Sequence, residues 1–205
     1  MSYPKVHHVL FDCNVFIMLF NHFGPNLHWP DVVGLAAEPE VKGSLPSNIR
    51  DIITCMSFVK SGRRPDGSRV RVWGSGHVQD TVVYKMRHSG DNVWAERDRG
   101  ASQLIMDSFY DFFGQELFAG VVGTSEHGAE RNPPLDHEDG MVYGACRTIA
   151  GQNPVDVVWL ITFDRSFIRE AERFKPKMVN VCKPGEYISS HIRSGGSLWE
   201  RMGSR

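Results

Sequence analysis

The sequence predicts an α/β fold, a three-layer α/β/α sandwich built around a central parallel sheet. Three observations predict it. Short runs such as Val157–Thr162 are almost wholly apolar, as strands covered on both faces require. Between them lie segments whose apolar residues recur at helical spacing. Strand and helix alternate along the chain, which implies parallel pairing with helical crossovers on both faces.

The elements follow in order. His8–Phe11 is an apolar strand, closed by the polar turn Asp12-Cys13-Asn14. Val15, Phe16, Met18, Leu19 and Phe20 then mark a helix that stops near Gly24-Pro25. Turn residues are dense between residues 26 and 46, with one helix-like piece over residues 31–37. Ile49, Ile52, Ile53, Met56 and Val59 line an amphipathic helix with Ser47 as its expected N-cap. After a turn over residues 61–67, Arg69–Trp73 alternates like a strand. Ser75 is placed to cap a helix running to about His88, with Val78, Val82, Val83 and Met86 on its apolar face.

A longer helix is expected over residues 92–115, then a short strand at Gly120–Gly123 and a polar loop over residues 124–134. Residues 136–150 read as a helix with Met141, Val142, Ala145 and Ile149 inward. Phe167, Ile168 and Ala171 follow the strand Val157–Thr162 with helical spacing. Met178–Cys182 is a last strand, and Pro184 opens a final helix or turn. The domain is expected to span residues 1–193, with insertions around 26–46 and 89–134. Residues 194–205, rich in Ser and Gly, are expected to form a loose tail.

At 205 residues the chain has room for one domain with a full core, since a domain of this size buries roughly 70% of its unfolded surface. The apolar share of 41% and the charged share of 23% are ordinary for a globular protein. A formal net charge of -1 supplies no global attraction to a polyanion, so binding one would need local basic patches or bound metal. Cys13, Cys55, Cys146 and Cys182 form no C-x-x-C pair and sit in apolar surroundings, which argues against a disulfide or zinc framework. The N-terminus lacks a signal-peptide pattern and no apolar stretch is long enough for a bilayer, so no membrane partner and a cytoplasmic location are expected.

In an open α/β sheet the functional crevice lies beyond the carboxyl ends of the strands. Asp12 closes the first strand, Asp164 follows the strand Val157–Thr162, and Asp139 lies in the first turn of the preceding helix. Gathering like charges in one crevice disfavours their ionisation, and a divalent cation removes the conflict. Mg²⁺ prefers oxygen ligands and shares them with phosphate, so the set suggests phosphate-ester chemistry.

These residues resemble the PIN-domain ribonucleases, including the toxin components of bacterial toxin–antitoxin pairs. Val9-Leu10-Phe11-Asp12-Cys13-Asn14-Val15 looks like the family's opening strand and Asp-x-Asn turn. Ser75–Asp80 looks like its second conserved helix, Asp136–Val142 like its third acidic segment, and Ile161–Phe167 like its Thr-x-Asp motif. Val179–Tyr187 looks like the last strand and the Pro-x-Glu-aromatic ending.

The resemblance implies strand order 3-2-1-4-5 and a Mg²⁺- or Mn²⁺-dependent endoribonuclease, with an RNA substrate, an antitoxin partner and a homodimer as expected partners. It implies Asp12, Asp80, Asp139 and Asp164 as catalytic residues, Asp12, Asp139 and Asp164 as metal ligands, and Asn14 and Thr162 in support. Two positions depart from the pattern: Thr81 stands where Glu is usual, leaving Asp80 as the available acid, and Ser166 replaces a further acid. Asp136 and Glu138 compete with Asp139 for the third role.

Bland roles stand beside these. Asp12 and Asp164 are also suited to capping the helices that follow them, and Asp139 to complementing a helix dipole. Arg63, Arg64 and Arg69, in the densest basic stretch, are candidates for the nucleic-acid backbone, or form a solvated loop. Trp29, Trp73 and Trp94 are candidates for base stacking, with core packing as the alternative. His127 and His137 flank the third acidic segment. The rival to a nuclease is a catalytically weak PIN-like scaffold that binds RNA or protein. A haloacid-dehalogenase-type phosphatase also begins with a strand-end Asp, but would carry a second Asp where this chain has Asn14.

Overall fold

The computed structural model describes residues 5–88, 100–113, 118–131, 133–174 and 179–202. Among these residues five strands form one all-parallel sheet in the order β3-β2-β1-β4-β5, with helices packed on both faces. The strands are β1 (Val6–Phe11), β2 (Arg69–Ser75), β3 (Phe118–Val122), β4 (Val157–Ile161) and β5 (Val179–Cys182). The central strand β1 pairs Val9 with Val72 of β2 and with Trp159 of β4.

The order explains where the helices go. The chain steps from β1 to β2 to β3 in one direction across the sheet, then jumps back over both to β4 and on to β5. Right-handed crossovers therefore place the helices of the first half on one face and those of the second half on the other. The first group comprises α1 (Cys13–Phe23), α2 (Trp29–Gly34), α3 (Pro39–Ser44), α4 (Ser47–Lys60), α5 (Gly76–His88) and α6 (Ala101–Phe113). The second comprises α7 (His137–Gln152) and α8 (Arg165–Phe174). The last helix, α9 (Pro184–Met202), returns to pack on α4.

β1 reads as a continuous apolar run because both its faces are covered: Val9, Leu10 and Phe11 are all buried. Its α1 side is an aromatic cluster. Phe16 lies 4.8 Å from Phe109 between ring centroids, and Phe11, Trp29 and Phe112 meet it edge-on. Trp29 is thus a core residue, with its indole N–H donated to the Ser108 carbonyl. The four cysteines are free and buried.

Several expectations are corrected. Ser47 is the first residue of α4, and its N-cap position is held by Pro46 without a side-chain hydrogen bond. α6 begins at Ala101; residues 92–99 and 114–115 of the expected helix, with Trp94, lie outside the described residues. Residues 26–46 form α2, a short 3-10 turn at Leu35–Ala37 and α3. Residues 194–202 are not a loose tail but continue α9. No helix of the described residues is long and apolar enough to cross a membrane.

The rim at the amino ends of the strands is polar but closed. Trp73 Nε1 donates to His8 Nδ1 at 2.8 Å, and Trp159 Nε1 donates to His7 Nδ1 at 2.9 Å. Since His8 accepts at Nδ1, its proton sits on Nε2, 3.1 Å from Asp156 Oδ2. Arg64 is buried against the Trp159 and Tyr187 rings and donates to the Ser190 carbonyl at 2.7 Å, which ties the loop before β2 to α9. Its candidacy as a nucleic-acid contact is therefore overturned. Arg63 and Arg69 are exposed, but at this rim. The six residues of β1 separate them from Asp12 by roughly 20 Å at ~3.3 Å per residue. Trp73 is half-buried, with its indole N–H on His8 and its ring beside Gly120.

The aromatic cluster beneath β1 yields a direct test. Phe16→Ala is expected to cost about 3–5 kcal/mol of stability, read from urea denaturation; a loss under 1 kcal/mol would show that the cluster is not the packing centre.

Candidate active site

Helices that follow parallel strands begin at the carboxyl rim, so the first turns of α1, α5, α7 and α8 share one edge of the sheet. The strand order reverses between β1 and β4, and Asp12, Asp164 and the first turn of α7 lie along that rim.

Asp12 is buried directly after β1, and its own N–H donates to the Ile161 carbonyl of β4 at 2.9 Å. Its carboxylate caps α1 by accepting Cys13 N–H at 2.7 Å on Oδ1. Oδ2 accepts the Thr162 hydroxyl at 2.7 Å and the Asn14 amide at 2.6 Å. Asn14 also donates to Thr162 Oγ1 at 2.8 Å and accepts Phe163 N–H at 3.1 Å, while Thr162 Oγ1 accepts Asp164 N–H at 3.0 Å. Asn14 and Thr162 thus hold Asp12 and the chain leading to Asp164 in one network. Burial pushes the Asp12 carboxyl up against the pull of these donors, and the Glu138 charge adds to the rise.

Asp164 caps α8. Its Oδ1 accepts Ser166 N–H at 2.7 Å, the Ser166 hydroxyl at 2.6 Å and Phe167 N–H at 3.0 Å, so all three donors use one oxygen. Burial acts to raise Asp164, but the Ser166 and Phe167 donors and the Lys85 charge together hold it below the ordinary range. The capping role weighed from sequence is present, and it is carried by Oδ1.

On α7, Asp136 is the N-cap and accepts Asp139 N–H at 2.8 Å. Glu138 accepts the Lys85 ammonium and, at 3.0 Å, the Cys13 thiol. Burial acts to raise Glu138, and these two donors bring it below the ordinary value. Asp139 has no such help. Burial, then Asp136, Asp12, Asp164 and Glu138 in turn, push its carboxyl up to about 7. The choice of Asp139 among the three acids of this turn therefore rests on what the other two do: one caps the helix and one is paired.

Two glycines bring a loop onto this turn. A Cβ at Gly140 would meet the Glu130 carbonyl at 2.6 Å, and one at Gly144 would meet the Gly128 carbonyl at 2.5 Å. Only residues without side chains admit the loop this close.

Asp80 is a correction. It is exposed, on the solvent side of α5. The half-buried strip toward the pocket is His77, Thr81 and Lys85, spaced i, i+4, i+8. Asp80 misses this strip by one residue, about 100° of helix turn. Sequence reasoning missed Lys85, Cys13 and His77 as pocket residues; the phase of α5, read from buried Val78, Val82 and Met86, was the available signal.

The acids are within electrostatic reach of one another but are not drawn together. Among the described residues, no three His, Cys, Asp or Glu side chains are grouped to hold an ion as they stand. Glu138 is held by Lys85 and Asp164 by its own helix, and mutual repulsion acts on the rest. Carboxylates are the ligand type a hard cation such as Mg²⁺ takes, often only one or two of them with water and phosphate, but here they are not grouped around one point.

Comparison with protein-family models, with curated proteins and with solved structures found no match for this chain.

The raised Asp139 has a consequence for stability. Its folded-state value of about 7 lies above the ordinary aspartate value of 3.8, so the folded protein holds this proton more tightly and stability falls as pH rises between the two. Asp139→Asn removes the penalty and is expected to stabilise the fold by roughly 1–3 kcal/mol at pH 8 with little effect at pH 4. Urea melts at both pH values check it; equal effects at the two would refute the assignment.

Proposed function

We propose that this chain is a divalent-metal-dependent nuclease that hydrolyses phosphodiester bonds, with RNA as substrate. The observation that supports the reading is that Asp12, Asp139 and Asp164, from three separate segments, lie within electrostatic reach of one another at the carboxyl rim, where the strand order reverses. The choice of RNA rests on the resemblance of the five quoted motifs to PIN-domain ribonucleases, and so does a role as the toxin of a toxin–antitoxin pair, with an antitoxin and a second copy of the chain as partners.

Asp12, Asp139 and Asp164 would hold Mg²⁺ or Mn²⁺. When bound, such an ion supplies an acidified water and neutralises charge on the phosphate oxygens. The protein's part is positional. Thr162 and Asn14 fix the Asp12 carboxylate, so no rotamer freedom is lost when a ligand arrives. The Ser166 and Phe167 donors keep Asp164 ionised. Asp139, its carboxyl raised to about 7, would have to lose its proton to hold a cation, so binding would tighten as pH rises toward 7. Asp80 takes no part.

A second reading is favoured by one specific observation. A lysine reaches into the acidic pocket and pairs with Glu138, while Thr81 and not an acid faces it from α5. That arrangement suits a weakened site whose job is to bind RNA or protein.

The test is Asp12→Asn, with Asp80→Ala as control. The Asn amide turns one donor toward another at a cost of roughly 1–2 kcal/mol, which the fold tolerates. Asp12→Asn is expected to lower Mn²⁺-dependent cleavage of single-stranded RNA at least a hundredfold and to abolish the thermal shift given by Mn²⁺. Asp80→Ala should leave both unchanged. A parent protein that shows neither cleavage nor a Mn²⁺ shift would favour the binding scaffold.

A further inference from the structure

At the amino rim three buried side chains meet between the loop before β2, β4 and α9, and none of them is fully used. Arg64, Tyr187 and His191 are 5%, 0% and 6% exposed. The guanidinium lies over the Trp159 and Tyr187 rings, 5.7 and 5.8 Å from their centroids, and the Tyr187 and His191 rings are 6.2 Å apart. Arg64 Nη2 donates to the Ser190 carbonyl at 2.7 Å and to the Ser190 hydroxyl at 3.0 Å. Arg64 Nε and Nη1, the Tyr187 hydroxyl and His191 Nδ1 are enclosed without a hydrogen-bond partner among the described residues.

The deficit is one of acceptors. Nε and Nη1 carry three N–H donors between them, and the phenol and a neutral imidazole can each donate one more. Stacking on the rings occupies the faces of the guanidinium, whereas its donors lie in its plane. Its charge is unpaired as well: among the described residues no carboxylate lies within 4.0 Å of Arg64. Asp66, two residues on, is exposed, and its Oδ1 is taken by the Ser68 N–H and hydroxyl. His7 and His191 bring no compensation; burial first, and the Arg64 charge next, hold both below the usual histidine range. A buried water would accept from these donors but leave the charge uncompensated, which is strongly destabilising. An anion answers both needs.

The walls limit its size. A Cβ on Gly195 would meet Pro65 Cβ at 2.9 Å, so α9 is seated directly on the loop that carries Arg64. On the other side the His191 ring stacks on Phe58 of α4, with centroids 4.4 Å apart. These closures favour a monatomic anion over a phosphate ester or a peptide carboxylate.

We propose that a chloride ion binds beside the Arg64 guanidinium, with the Tyr187 hydroxyl and the His191 imidazole as further donors, and locks α9 onto the loop before β2. This site lies at the opposite end of the strands from Asp12 and does not depend on the nuclease reading.

Bromide, which stands in for chloride and scatters anomalously, is the first probe. Crystals of the full chain grown in sodium bromide are expected to show an anomalous peak next to Arg64. Density there without anomalous signal identifies a water and overturns the proposal. The second probe is thermal melting at constant ionic strength, with chloride replacing gluconate, an anion too bulky to enter. The melting temperature of the parent should rise by about 3–5 °C for each tenfold increase in chloride above its dissociation constant. Tyr187→Phe, which deletes one donor, should weaken chloride binding roughly tenfold, and Arg64→Met should abolish the rise. If Arg64→Met does not fold, Tyr187→Phe decides alone. A parent with equal melting temperatures in chloride and gluconate overturns the proposal, even with a bromide peak in the crystal, which is then an adventitious ion only. So does a Tyr187→Phe variant whose chloride response matches the parent's.

Discussion

The hydrogen-bonded knot of Asp12, Asn14 and Thr162 holds the functional end of this molecule together. It joins the end of β1 to the end of β4 through side chains after the strands' own ladder has stopped. These two strands are neighbours in space but far apart in sequence, and the crevice of a reversed strand order opens between them. Because the knot saturates much of the Asp12 carboxylate, that group is fixed in orientation and can be buried despite its charge. The Asp164 N–H hangs from the same Thr162 oxygen. The two strand-end acids are therefore set by one unit.

Around that unit the charges are managed unequally. Asp164 is stabilised by donors at the start of α8, Glu138 by Lys85 and Cys13, and Asp136 is occupied as the cap of α7. Asp139 is raised by burial and by the charges of Asp136, Asp12, Asp164 and Glu138. A fold selected for stability alone would have no use for such a carboxyl at this place. A site that exchanges a proton for a cation would. The 128–130 loop packs closely on Gly140 and Gly144 of α7, the helix that carries the half-buried Asp139.

The two rims of the sheet solve opposite problems. At the amino rim, His7 and His8 are kept neutral: burial comes first for both, with Arg64 next in pressing His7 down to about 4, and each imidazole accepts an indole N–H. There the polar groups are closed off by Trp73, Trp159 and Tyr187. At the carboxyl rim the charged groups are left partly exposed and incompletely paired. The acidic groups therefore lie at one end of the sheet, and the basic stretch around Arg63 to Arg71 belongs to the other.

By itself, the sequence determined the fold class and the acids at the ends of β1 and β4. Apolar runs ending in Asp and helical periodicity are local properties, and local physics reads them: a doubly covered strand must be apolar, and a strand-to-helix turn favours a capping carboxylate. The strand order was legible only through the resemblance of the motifs. Tertiary structure decided the rest, because the remaining questions concern which surfaces meet. Asp80 and Lys85 are both polar residues of α5, and only the packing of that helix against α7 turns one to water and the other to Glu138. Arg64 looked like its exposed neighbours until α9 and Trp159 closed over it. Trp29 and Trp73 were ambiguous for the same reason: an aromatic ring serves a core or a ligand equally well, and the choice is made by what packs upon it.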